Sequence, residues 1–100
     1  MTTASAPLSG TLASATTTGS ITINGGAFNL SLSGTWSGVV VLQRSFNAGS
    51  TWLNVQTYSA NIEDTGSEPE DNVWYRLNCT TYTSGTITYR VGQPSTPYYR

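Results

Sequence analysis

The chain has 100 residues, a formal net charge of −1 and only 9% charged residues, against ~25% in typical soluble domains. It contains no lysine and no histidine, but 17 threonines and 13 serines, so hydroxyl groups supply most of its polar surface. Four basic residues give no clustered positive charge for nucleic acid or for anionic membranes, and neither partner is expected.

The composition also bears on catalysis. Serine and cysteine nucleophiles normally need a histidine base, and the chain has none. Its single cysteine, Cys79, cannot form an internal disulfide and is expected to be a small buried apolar residue. The segment from Met1 to Pro7 lacks the basic and apolar regions of a signal peptide. We therefore expect no enzyme, no cofactor and no metal, in a protein made in a reducing cytoplasm.

In chain order, residues 1–18 are rich in Ser, Thr and Ala and predict an extended arm, with an edge strand around Leu8 to Ala15. Residues 19–92 carry period-two alternation and predict one β-domain. Residues 93–100 hold two prolines and two tyrosines, which are typical of an irregular tail.

Within the domain, Ile21 and Ile23 alternate with polar residues, as do Phe28, Leu30 and Leu32. The run from Val39 to Arg44 is apolar on both parities and predicts a central strand covered on both faces. Trp52 to Tyr58 is expected to return antiparallel to it. Later inward positions predicted by alternation are Val73, Tyr75, Leu77, Cys79, Ile87, Tyr89 and Val91.

Residues Ile62 to Pro69 show no apolar alternation and predict a loop or crossover. All five acids of the chain lie in or just after this segment. Clustered carboxylates can bind Ca²⁺, but no Ca²⁺-loop motif is present, so a solvated acidic loop is the favoured interpretation. The same argument disfavours a glycosidase pair, whose two carboxyl groups must be fixed across a cleft.

Together the elements predict an all-β fold, a single antiparallel β-sandwich with an N-terminal arm and a C-terminal tail, and a small barrel is the alternative. From Val39 to Val91 the order of strands and turns resembles a fibronectin type III domain. The matching pieces are Val40 to Ser45, Gly49 to Trp52, Asp64 to Gly66, Tyr75 to Leu77 and Thr83 to Thr86. The resemblance implies a fibronectin- or immunoglobulin-like topology.

The segment from Ser45 to Trp52 lies between two predicted strands and contains the turn formers Asn47 and Gly49. It resembles the Asp-box, Ser-x-Asp-x-Gly-x-x-Trp, with Asn47 in place of the Asp. The resemblance implies a hairpin pinned by Ser45, Asn47 and Gly49 and capped by Trp52, which is a folding device and no catalytic signature.

Aromatic and arginine side chains are enriched in protein interfaces. Trp74 and Arg76 share the outward parity of their strand, and Trp74 could also stack on a sugar ring. We expect an interface and keep a glycan site as the alternative. The candidate residues are Trp36, Trp74, Arg76, Tyr98 and Tyr99.

The stretch from Leu32 to Val91 is similar to small virion proteins of tailed bacteriophages. The similarity rests on a Gly-Thr-Trp-x-Gly opening at Gly34, the Gln-Arg-Ser hairpin at Gln43 and the Glu-Pro-Glu loop at Glu68. It implies a non-enzymatic structural protein of the virion, a capsid decoration or cement protein or a fibre or tail component. Its expected partners are other virion proteins and further copies of itself, and the alternative function is a carbohydrate-binding module.

Overall fold

The computed structural model describes residues 7–93, and this part of the chain contains eight β-strands and no helix. Successive strands are joined by short turns, because Gly, Asn and Ser punctuate the alternating segments. The strands are β1 (Leu8–Leu12), β2 (Thr17–Ile23), β3 (Gly26–Ser33), β4 (Trp36–Ser45), β5 (Leu53–Tyr58), β6 (Ile62–Glu68), β7 (Val73–Gly85) and β8 (Ile87–Gly92).

Four antiparallel pairs are nested along the chain: β4 with β5, β3 with β6, β2 with β7 and β1 with β8. Successive pairs in this order lie in opposite sheets. Sheet A has the order β1-β8-β3-β6, and sheet B has the order β2-β7-β4-β5. Pairing of β3 with β8 and of β4 with β7 completes each sheet. A nested hairpin rolled into two four-stranded sheets is the jelly-roll arrangement.

The antiparallel β-sandwich predicted from the sequence is therefore confirmed. Its strand order differs from the immunoglobulin arrangement that the fibronectin resemblance implies. In that arrangement the first and last strands lie in different sheets, whereas here β1 and β8 are neighbours in sheet A. Local sequence patterns locate strands but do not encode which strands pair, so the resemblance holds for the segments and not for their connection.

The core lies between the sheets and is built from the predicted inward positions. Ile23, Leu77, Ile87 and Val91 are completely buried. Val41 and Gln43 are also buried although they point to the outer side of β4. The prediction of a strand covered on both faces holds for these two side chains, but no further layer of the described residues covers the outer face of sheet B. Further buried apolar residues are Ile21, Phe28, Leu30, Leu32, Val40, Leu42, Val73, Tyr75 and Cys79.

The described part of the predicted arm belongs to the sandwich. Residues Leu8–Leu12 form β1, paired with β8, and Leu12 is buried in the core. Thr17 and Thr18 already belong to β2. The tail predicted at residues 93–100 begins at Gln93. Its side-chain oxygen accepts from the backbone N–H of Asn24, and its side-chain nitrogen donates to the backbone carbonyl of Asn24. The rest of the tail lies outside the described residues.

The prediction of a loop from Ile62 to Pro69 is wrong, because Ile62–Glu68 form strand β6 at the edge of sheet A. Its Asp-Thr-Gly sequence is typical of a turn. Here a side chain at Gly66 would lie within 2.7 Å of the Phe28 ring, so glycine is required by close packing rather than by a turn. The inward-facing acids of β6 are satisfied by hydrogen bonds that no sequence pattern shows.

Candidate functional site

The edge strands β1 and β2 form one long side of the sandwich, and the opposite long side lies between edge strands β5 and β6. Each of these strands pairs on one side only, β5 with β4 and β6 with β3. The exposed large apolar side chains of the described residues all lie along or beside this side: Phe46 (50% exposed), Leu53 (46%), Val55 (41%) and Ile62 (38%). We call this surface the β5–β6 edge.

A cleft of about 220 Å³ opens at the β5–β6 edge. Its floor consists of core side chains, among them Phe28, Leu30 and Leu42. Val55 and Gly66 stand on its two sides. The floor side chains Phe28, Leu30 and Leu42 are at most 6% exposed, whereas Val55 on the rim is 41% exposed, so a partner would contact mainly the rims of the cleft.

A buried carboxylate lies beside the cleft and is bonded to two of the residues that line it, Arg44 and Tyr75. Glu68 is only 1% exposed, and its Oε1 accepts hydrogen bonds from the Tyr75 hydroxyl at 2.7 Å and from Nη1 of Arg44 at 3.3 Å. Its Oε2 accepts from the backbone N–H of Glu70 at 3.1 Å. A buried carboxylate without such partners would be costly, so this network fixes β6 against β4 and β7.

Further along the cleft, the Tyr58 hydroxyl donates to Oδ2 of Asp64 at 2.9 Å and joins β5 to β6. Burial, reinforced by this carboxylate acceptor, raises the pKa of Tyr58 above its ordinary value. Burial, with the hydrogen bond to Glu68, raises the pKa of Tyr75 to about 12. Both phenols stay protonated at neutral pH and act as hydrogen-bond donors.

The turn between β4 and β5 is held by side chains of the Asp-box-like segment. The Ser45 hydroxyl accepts from the backbone N–H of Gly49 at 2.8 Å and donates to Oδ1 of Asn47 at 2.8 Å. The same Asn47 oxygen accepts from the backbone N–H of Thr51 at 2.9 Å. Gly49 has φ 89°, and a Cβ there would lie 3.3 Å from Trp74 and 3.6 Å from Trp52. The turn is thus packed beside both indoles.

A linked row of side chains crosses the outer face of sheet B. Nε of Arg76 donates to Oε1 of Gln43 at 3.0 Å, and Nε2 of Gln43 donates to Oδ1 of Asn54 at 2.8 Å. The Arg76 guanidinium lies 4.2 Å from the centre of the Trp52 ring. Trp52, Arg76, Gln43 and Asn54 form what we call the Arg76 row, and they connect β7, β4 and β5.

The candidate residues from the sequence do not form one site. Trp74 lies next to the Arg76 row, since Trp74 pairs with Ser45 and Arg76 with Gln43. Trp36 is at the opposite end of β4, where its indole N–H donates to Asn61 at 2.7 Å. Tyr98 and Tyr99 lie outside the described residues.

A reactive thiol, a metal-binding group or a membrane-spanning helix would each indicate a different function for residues 7–93. Cys79 is buried as predicted, and burial raises the pKa of its thiol. No three acidic or cysteine side chains of this part gather into a metal-binding group. No helix in residues 7–93 is long and apolar enough to span a membrane.

Two features of the site were missed by sequence reasoning. The sequence predicts Glu68 in a solvated loop and β5 only as the return strand of a hairpin, whereas Glu68 is buried and β5 is an edge strand. Exposed edge strands usually carry charges or prolines that prevent further pairing, and Leu53–Tyr58 carries neither, so no sequence signal marked β5 as an edge strand.

Comparison of the chain with protein-family models, with curated proteins and with solved structures finds no match in any of the three.

Proposed function

We propose that this protein is a non-enzymatic structural protein of a tailed-phage virion, which binds a protein lattice of the capsid or tail through its β5–β6 edge. The virion assignment is supported by the resemblance of Leu32 to Val91 to small phage virion proteins. The observation that carries the binding mode is the grouping of exposed apolar side chains along one edge of the sandwich.

The chemistry of the edge fits a protein partner. Large exposed apolar side chains that group on one surface often mark interaction sites. Strand β5 adds a row of unpaired backbone groups and has no charged residue, so a partner strand can extend sheet B without opposing charges. The cleft beside it offers a pocket for apolar anchor side chains.

Rigidity of the edge supports the same function. The Glu68 network and the hydrogen bond between Tyr58 and Asp64 hold the rims of the cleft in place. A preformed site loses little conformational entropy on binding. A decoration protein that reinforces a particle benefits from this property, because each copy binds the same repeated surface.

Particle binding tests the proposal. Leu53→Asp and Val55→Asp place a charge in the interface while changing only exposed positions, so both variants should fold. We expect at least tenfold less of each variant on purified particles than of the unmodified protein. Thr88→Asp is the matched control, because it adds the same charge to an exposed position on the outer face of sheet A.

Mass spectrometry of purified particles supplies the complementary measurement. The protein should be present at a fixed stoichiometry relative to the major capsid or tail protein. Its absence from the particles contradicts the virion function, and equal loading of the edge variants and the control contradicts the role of the β5–β6 edge.

The alternative function, a carbohydrate-binding module, is favoured by a different surface, the Arg76 row on the outer face of sheet B.

A further inference from the structure

The Arg76 row contains a charge without a counter-ion. Among residues 7–93, Arg44 forms an ion pair with Glu68, with 3.3 Å between Nη1 and Oε1. Arg76 has no acidic partner among these residues. All five acids lie in β6 or in the loop after it, so none belongs to a strand of sheet B. Burial of the partly covered guanidinium also lowers the pKa of Arg76.

The guanidinium is nevertheless held in a defined position. Its Nε is bound by Gln43 and its plane lies over Trp52, while its two terminal nitrogens make no hydrogen bond to the described residues. Two parallel N–H groups of a guanidinium match the two oxygens of a carboxylate. The row therefore presents a preorganised carboxylate receptor on the outer face of sheet B.

The neighbours of Arg76 indicate which carboxylate fits. Ser20 pairs with Arg76 on one side, and the adjacent outward positions are Thr22 and Asn78, so hydroxyl and amide groups surround the charge together with Asn54. Such groups bind sugar hydroxyls, whereas the centre of a protein interface is rich in apolar and aromatic contacts. A nucleic acid or another polyanion would need several cations, and Arg76 is the one basic residue on this face among the described residues.

We propose that the outer face of sheet B binds a saccharide that carries a carboxylate, such as a uronic-acid or sialic-acid residue, with Arg76 as its anchor. The terminal nitrogens of Arg76 donate to the carboxylate, while Asn54 of the row and Ser20, the register partner of Arg76 on β2, contact ring hydroxyls. Trp52 and Trp74 act mainly as supports, because the turn at Gly49 packs beside both indoles. This site is separate from the cleft. A negative result for saccharide binding would therefore leave the proposal of lattice binding through the β5–β6 edge intact.

Binding is measured by isothermal titration calorimetry with three probes: a galacturonic acid trisaccharide, 3′-sialyllactose and neutral lactose. We expect at least one acidic sugar to bind and lactose to bind at least tenfold more weakly. The two acidic probes distinguish a uronic-acid source from a sialic-acid source. An NMR titration should show the Trp52 indole resonance shifting with the bound fraction.

Two variants test the anchor. Arg76→Gln removes the charge, and Asn54→Asp places an internal carboxylate in the same row at an exposed position that retains the acceptor for Gln43. Both should weaken acidic-sugar binding at least tenfold. Arg90→Gln is the matched control, since Arg90 lies exposed on sheet A and donates to Asn29, and it should bind like the unmodified protein. If Arg76→Gln fails to fold, the acidic-sugar affinity of Asn54→Asp alone tests whether Arg76 is the anchor.

Three results would overturn the inference: no binding of either acidic sugar, unchanged binding by the folded row variants, or tighter binding of a Glu-rich peptide than of both sugars. The last result would identify the face as a receptor for protein carboxylates.

Discussion

Ala48 is a left-handed residue in the middle of the pinned turn. It has φ 56° and the next residue, Gly49, has φ 89°. For an L-residue with a Cβ the left-handed region costs roughly 1–2 kcal/mol, whereas glycine reaches it without strain. The hydrogen bonds of Ser45 and Asn47 compensate for this cost and keep the turn in one conformation.

Substituting Ala48→Gly should therefore stabilise the protein, by up to about 1 kcal/mol after the entropy of the unfolded glycine is subtracted. The reverse change at the neighbouring position, Gly49→Ala, should destabilise it by about 1 kcal/mol or more, because its φ is left-handed and both indoles are close. Urea unfolding monitored by tryptophan fluorescence measures both. Equal effects of the two substitutions would contradict the described turn geometry.

Tyr58 and Tyr75 make the fold sensitive to alkaline pH. Burial raises both pKa values, that of Tyr75 to about 12, while a phenol in the unfolded chain ionises near pH 10. Between these pH values only the unfolded state loses the proton. Stability that is fully present below pH 10 should consequently be lost as the pH rises from about 10 to 12.

The free energy of unfolding, measured in urea from pH 8 to pH 12, checks this expectation. Tyr75→Phe should lower stability at pH 8, since Glu68 loses a donor, but should flatten the decline above pH 10. Tyr58→Phe should flatten it as well. An unchanged slope in both variants would show that these phenols do not control the alkaline transition.

At the scale of elements, β1 is a short edge strand that carries one core residue. Leu12 is buried, whereas its neighbour Thr11 is exposed on the outer side of the same strand. Strand β1 matters because its pairing with β8 is the outermost of the nested pairs.

Leu12→Ala should cost about 2–4 kcal/mol of unfolding free energy, as for other buried leucines. Thr11→Ala, the matched control, should change it by less than about 0.5 kcal/mol. Denaturant unfolding of the two variants is the measurement. Indistinguishable midpoints would mean that β1 is not a structural part of the sandwich.

The elements differ in how far the sequence predicts them. Strands β3 and β7 alternate cleanly, and their inward residues Phe28 and Leu77 lie where alternation places them. Strand β6 could not be predicted, because its inward positions include Asp64, Gly66 and Glu68 rather than apolar residues. Their burial depends on Tyr58, Tyr75 and Phe28, which come from other strands.

The same limit applies to the candidate sites. Alternation places Trp74 and Arg76 on one face, and the structure brings them beside Trp52 and Gln43. It separates Trp36 from this group along the length of β4. Proximity across strands depends on register, and the bulges near Val39 and Gln43 shift that register.

For the whole molecule, alternation and turn residues suffice for an all-β sandwich but not for its topology. A jelly roll and an immunoglobulin sandwich use similar strands and differ in which distant strands pair. Here the pairing of β1 with β8 and of β2 with β7 joins residues far apart in sequence. The open β5–β6 edge follows from this topology, because the innermost hairpin and its neighbour end the two sheets on the same side.

Cryo-electron microscopy of purified particles is the most direct test of the proposed docking of this edge on a virion lattice. We expect density for an eight-stranded sandwich on the particle, with Leu53, Val55 and Phe46 against the neighbouring protein and the outer face of sheet A toward solvent. Particles without this density, or density in which the β5–β6 edge faces solvent, would contradict the proposed docking.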